Sequence, residues 1–185
     1  MATVILHDQR PDGDVEPGHG TVLSVNAATP LAQAFRDVKA AVVSSPTELV
    51  IACHGFMTHE YDGATHIDLG GGQGLQLCRE TLQVSNISTV AALKDLFTKI
   101  WLMACGPAGT LVHSSRPFCR ELAFHANTVV IASDTAQRYH PGDHDSVNQV
   151  SRRVLRFGNW EGNVFQFLPN GDVKPFTNKS QSPLK

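Results

Sequence analysis

Two short segments carry the residues best suited to nucleophilic chemistry: His54-Gly55 and Ala104-Cys105-Gly106. An imidazole beside a thiol can accept its proton and favour the thiolate, which is the reactive form. Gly55 has no Cβ, so its N–H can face an open cleft and hold an oxyanion together with the N–H of Cys105. A third segment, Ser133-Asp134, brings a hydroxyl and a carboxylate. A carboxylate there could pair with a basic substrate side chain. Asp62 and Asp68 compete for that role, and Gln137 and Arg138 could line the same rim.

Each of the three segments ends a short apolar run: Glu48–Cys53, Lys99–Ala104 and Thr128–Ala132. Nearly uninterrupted apolar runs of this length predict parallel strands buried on both faces. Between them the spacing predicts a helix capped by Ser88 and carrying Val90, Leu93, Leu96 and Phe97. A further helix holds Phe118, Leu122 and Ala123 and ends near Asn127. Upstream, Thr3–Leu6 and Thr21–Val25 read as strands separated by a Pro-, Gly- and Asp-rich loop. Thr29-Pro30 then opens a helix, with Thr29 as its cap and Leu31, Ala34, Phe35, Val38, Ala41 and Val42 on one face. Downstream, Asn163–Leu168 and Asp172–Phe176 flank Pro169-Asn170-Gly171, an Asn-Gly hairpin signal. This rhythm predicts a single α/β domain over residues 1–176. It has a mostly parallel central sheet, flanking helices and a C-terminal antiparallel hairpin, with 177–185 as a loose tail. Adjacent strands lie ~4.8 Å apart, so the three strand ends would share one rim, the carboxyl edge where such sheets bind ligands.

His-Gly after one apolar strand and Ala-Cys after the next resembles the layout of the caspase-like (clan CD) cysteine peptidases. The segment Met103-Ala104-Cys105-Gly106-Pro107 is similar to the caspase signature Gln-Ala-Cys-[Arg/Gln/Gly]-Gly, and His54 lies 51 residues before Cys105. The resemblance spans about residues 49–134. It implies a caspase-like fold and a cysteine peptidase or related thiol hydrolase, with Cys105 as nucleophile and His54 handling the proton. It also implies a peptide or protein substrate, no cofactor, and compatibility with a homodimer, since caspases pair through their sixth strand. Met103 stands where caspases have the glutamine that helps bind an acidic P1 residue. With Ser133 and Asp134 beside it, Met103 is therefore expected to shape a substrate site that favours cleavage after a basic residue. Pro107 replaces the final glycine, and no crossover helix fits between the first two strands. A non-catalytic alternative is a caspase-like fold that serves as a binding or regulatory module.

Composition narrows the field further. Hydrophobic residues make up 42% of 185, enough for a core and too many for a disordered chain. Fifteen Lys and Arg against seventeen Asp and Glu give a net charge of -2. No basic excess exists to hold a nucleic-acid backbone or an anionic membrane. No signal-peptide core or spanning segment is visible, so a cytoplasmic protein is expected, with signal-independent export left open. Cys53, Cys78, Cys105 and Cys119 form no CxxC pair and read as reduced thiols, with Cys53, Cys78 and Cys119 in the core. The group Cys53, His54, His59 and His66 matches no metal-ligand spacing, so no metal is expected. His59, His66, His140 and His144 read as solvated loop residues. The run Gly70–Gly74 lacks the strand-to-helix setting of a phosphate cradle and reads as a loop or hairpin beside the cleft.

Overall fold

The apolar runs become strands of one seven-stranded sheet in a computed structural model of the chain. The structure describes residues 2–11, 13–15, 18–44, 47–56, 58–62, 65–110, 116–137, 139–141, 154–182 and 184, with main chain alone for 58–62, 65–70, 139–141 and 154–156. The strands are β1 (Ala2–Asp8), β2 (Thr21–Val25), β3 (Thr47–Ala52), β4 (Lys99–Met103), β5 (Val129–Ser133), β6 (Val164–Phe167) and β7 (Val173–Pro175). Their order across the sheet is β7-β6-β5-β4-β3-β1-β2. The pairs β1–β2, β1–β3, β3–β4 and β4–β5 are parallel, whereas β5–β6 and β6–β7 are antiparallel. The protein is thus a mixed α/β fold with a mostly parallel sheet, and β4 occupies its centre.

One sheet face is covered by helices. The helix α1 (Leu31–Ala40) buries Leu31, Ala34, Phe35 and Val38, and α2 (Pro117–Ala126) buries Phe118, Cys119, Leu122, Ala123 and Ala126. Between them a 3₁₀ helix, Val84–Leu93, buries Ile87, Val90 and Leu93. It starts before Ser88, so Ser88 is not its cap. Asn86 Oδ1 instead accepts from the Gln83 N–H at 2.8 Å. Nor does Thr29 cap α1. The N–H of Leu31 donates to Glu80 Oε2 at 2.8 Å, a carboxylate 49 residues away that suits a helix N-terminus electrostatically.

The other face is covered by C-terminal residues. Ile5, Val50, Ala52, Trp101, Met103 and Ile131 pack there against Phe157, Trp160, Val164 and Leu184. Trp101 and Trp160 stack with centroids 6.3 Å apart, and Phe176 meets Trp101 edge-on at 5.8 Å. The expectation of a loose tail after residue 176 is therefore corrected. The N–H of Phe157 donates to the Leu184 carbonyl at 3.3 Å, Trp160 N to Lys179 O at 3.0 Å, and Trp160 Nε1 to Gln181 O at 2.9 Å. Lys179 Nζ also donates to the Gly162 carbonyl. Leu184 itself is 1% exposed. Among the described residues no helix is long and apolar enough to cross a membrane.

Candidate active site

Register brings the ends of β3 and β4 level, just ahead of His54 and Cys105. Along β3 and β4, Ile51 lies opposite Leu102 and Ala52 opposite Met103. The N–H of Cys53 donates to the Met103 carbonyl at 3.3 Å, which carries the ladder one step past the strands. Continued one step further, that register would bring His54 level with Cys105, while His54 itself pairs with Gln76 in a separate ladder. Side chains alternate: Ile51, Cys53, Leu102 and Ala104 face the helices, while Val50, Ala52, Trp101 and Met103 face away. The same alternation, continued past the strand ends, would put His54 and Cys105 with the second set. His54 is exposed and Cys105 half-buried, so both are open to solvent.

Gly55 brings the two segments together. A Cβ at this position would overlap the Cys105 carbonyl oxygen and come within 2.7 Å of its carbon and 2.9 Å of its nitrogen. Only glycine allows this approach of main chain to main chain. The chain then pairs His54 with Gln76 and Gly55 with Leu75 in a small antiparallel ladder. The glycine run has the same use. A side chain on Gly71 would strike the carbonyl oxygens of Gly106 and Phe56, and one on Gly109 would strike Gly71. Gly72 N also donates to Gly106 O at 2.9 Å. The run is a backbone wedge held against the loop that follows Cys105.

The segment after β5 lies on the other side of Cys105. Gly106 N donates to Thr135 O at 2.9 Å and Ala108 N to Ser133 O at 3.0 Å. The Gln137 N–H points to Cys105 Sγ at 3.4 Å, and the thiol faces the Gln137 carbonyl at 3.6 Å. Gln137 was expected only to line the rim. It is 5% exposed and holds the segment in place.

Three of the expected substrate-binding residues are used otherwise. Met103 is 0% exposed and packs in the core with Trp101 and Ile131, so the expectation that it meets substrate is corrected. Its parity directs it inward, one turn of the pleat below Cys105. Ser133 is also fully buried; its hydroxyl donates to Glu161 O at 2.6 Å and accepts from Gln137 Nε2 at 3.0 Å. It braces the rim from beneath. Asp134 is half-buried at the rim, but its carboxylate accepts from Asn163 N at 2.9 Å and Asn163 Nδ2 at 3.1 Å. That ties β5 to the start of β6, and a basic-residue pocket at Asp134 is not carried forward. Arg138 and His144 lie outside the described residues, as do the side chains of His59, Asp62, His66, Asp68 and His140. Among the described residues no three His, Cys, Asp or Glu side chains converge as a metal site requires.

The other three thiols are buried, whereas Cys105 is half-buried. Burial pushes the Cys53 thiol well above its ordinary value, and burial with nearby Asp8 pushes Cys78 up to about 12. Burial also raises Cys119. These thiols stay protonated at neutral pH. Beside them, at the end of β1, the Asp8 side chain is fully buried and pairs with Arg10 at 2.7 Å. It also accepts from the Cys78 N–H at 2.8 Å. Burial would raise this carboxyl, but Arg10 and the Cys78 N–H outweigh it and hold it below its ordinary value. Arg10 also donates to the Cys78 carbonyl at 3.0 Å, so the pair clamps the loop whose Glu80 caps α1. Sequence reading missed this clamp, whose members lie 70 residues apart.

No protein-family model, curated protein or solved structure matches the chain.

Proposed function

We propose that the protein is a cysteine-type hydrolase of caspase-like architecture that cleaves a peptide or related acyl bond. What supports this reading is that His54-Gly55 and Cys105 follow the neighbouring strands β3 and β4, that Gly55 packs against the Cys105 peptide, and that His54 is exposed and Cys105 half-buried. In this mechanism the Cys105 thiol passes its proton to the His54 imidazole, and the thiolate attacks the substrate carbonyl. The N–H groups of Gly55 and Cys105 receive the oxyanion. The imidazolium returns the proton to the leaving group, and water then releases the acyl group from sulfur. No cofactor enters the scheme. The substrate sequence is left to experiment, since neither Met103 nor Asp134 supports a P1 preference.

The test is a peptide-library digest with wild type, Cys105→Ala and His54→Ala. Cleavage by wild type alone supports the proposal. Equal cleavage by Cys105→Ala overturns it, as does a wild type that cleaves nothing while its Cys105 reacts no faster with a thiol probe than buried Cys53. The second result would favour the binding-module reading.

A further inference from the structure

We infer that Gln137 is a positioning residue for the nucleophile: its buried side chain fixes its own peptide group against Cys105 Sγ, so that its N–H supports the thiolate. This rests on the reading of Cys105 as a nucleophile. The main chain of Gln137 brackets the sulfur, with N at 3.4 Å and O at 3.6 Å. In the thiol form the S–H donates to the carbonyl, which fixes the resting rotamer. Once the proton has passed to His54, the sulfur is an anion and accepts from the N–H, the nearer of the two groups. A hydrogen-bond donor at that place favours the ionised form.

The peptide would not hold this position by itself, because a segment leaving a strand end is ordinarily mobile. The side chain supplies the restraint. Its Nε2 lies 3.0 Å from Ser133 Oγ, 3.0 Å from Ala136 O, 3.1 Å from Glu161 O and 3.2 Å from Thr135 O. Its Oε1 accepts from the Glu161 N–H at 3.1 Å. Ser133 Oγ closes the knot by donating to Glu161 O. The segment is thereby stitched to the turn before β6, away from solvent, where hydrogen bonds are strong and costly to break. No side-chain atom of Gln137 is needed at the sulfur.

The experiment measures the rate of Cys105 alkylation by iodoacetamide against pH, read by mass spectrometry, in wild type, Gln137→Ala and Ser133→Ala. Both variants keep the peptide N–H but loosen what holds it. We expect the midpoint of the rate profile to rise in both. A rise of one pH unit would slow labelling about tenfold at pH values below both midpoints, since rate follows the thiolate fraction. Unchanged midpoints with a lowered melting temperature would overturn the inference, because Gln137 would then be structural only. Faster labelling at every pH would also overturn it, because the segment would then merely cover the sulfur. Ser133→Ala removes one partner and carries the test if Gln137→Ala does not fold. Labelling requires no peptide cleavage, so failure here and failure of the hydrolase reading are separate results.

Discussion

Gly55 lies against the peptide of Cys105 so closely that no other residue fits between them. The contact joins the His54-Gly55 segment to the Cys105 segment, and a methyl group is enough to disturb it. Gly55→Ala should cost roughly 1–3 kcal/mol, as overpacking does at rigid positions. It should also slow thiol labelling at Cys105, because the two main chains must part. Thermal melts and labelling rates check this, and a variant as stable and as reactive as wild type would contradict the contact.

Cys105→Ala and His54→Ala should each abolish turnover and leave stability nearly unchanged, since both side chains sit at the solvent edge. Cys53→Ala should do the reverse. That residue is 1% exposed among Leu49, Ile51 and Leu102, and losing its sulfur should cost about 1 kcal/mol or somewhat more. Turnover and melting temperature measured on all three variants separate the roles.

His7 predicts an acid-sensitive step in stability. It is 2% exposed on the face opposite the helices, its Nε2 has no hydrogen-bond partner among the described residues, and burial holds its imidazole below the ordinary value. The unfolded chain therefore takes up a proton first. The stabilisation is present above pH 6.5 and is lost as pH falls from there through the folded value. Urea midpoints at pH 7.5 and 5.5 should differ more in wild type than in His7→Leu. Equal pH slopes in the two proteins would remove His7 as the source.

Trp160 anchors the sheet face covered by C-terminal residues. Trp160→Ala should cost about 3–5 kcal/mol, the usual range for a large buried aromatic, because it unstacks Trp101 and frees the segment hydrogen-bonded through Lys179 and Gln181. A chemical-denaturation midpoint close to wild type would show that this covering contributes little.

The parallel strands were legible because burial on both faces leaves unbroken apolar runs such as Leu49–Ala52 and Ile100–Met103. That β3 and β4 are neighbours with level ends was legible from the same runs. What escaped reading depends on partners distant in sequence. Glu80 caps α1 from 49 residues away, and nothing near Thr29 announces it. Leu184 and Trp160 are isolated apolar residues among polar ones, without period, so their burial depends on a sheet face that only tertiary structure creates. Met103 and Ser133 are buried because that sheet face is covered by distant C-terminal residues such as Trp160 and Glu161, which nearness to Cys105 in sequence does not reveal. The glycine run showed its composition but not its use, since backbone wedging leaves no pattern in side chains.

The covering of one sheet face by Phe157, Trp160, Phe176 and Leu184 also orders events during synthesis. Chains emerge from the ribosome N-terminus first, and domains tend to fold as units. The strands that present His54 and Cys105 are complete by residue 105, long before residue 184 is made. Until then Trp101, Met103 and Val50 lack the side chains that will shield them. A nascent chain of intermediate length therefore holds these apolar side chains without the surface that later covers them. A pause in translation between residues 105 and 157 would prolong that exposure and favour capture by chaperones or self-association.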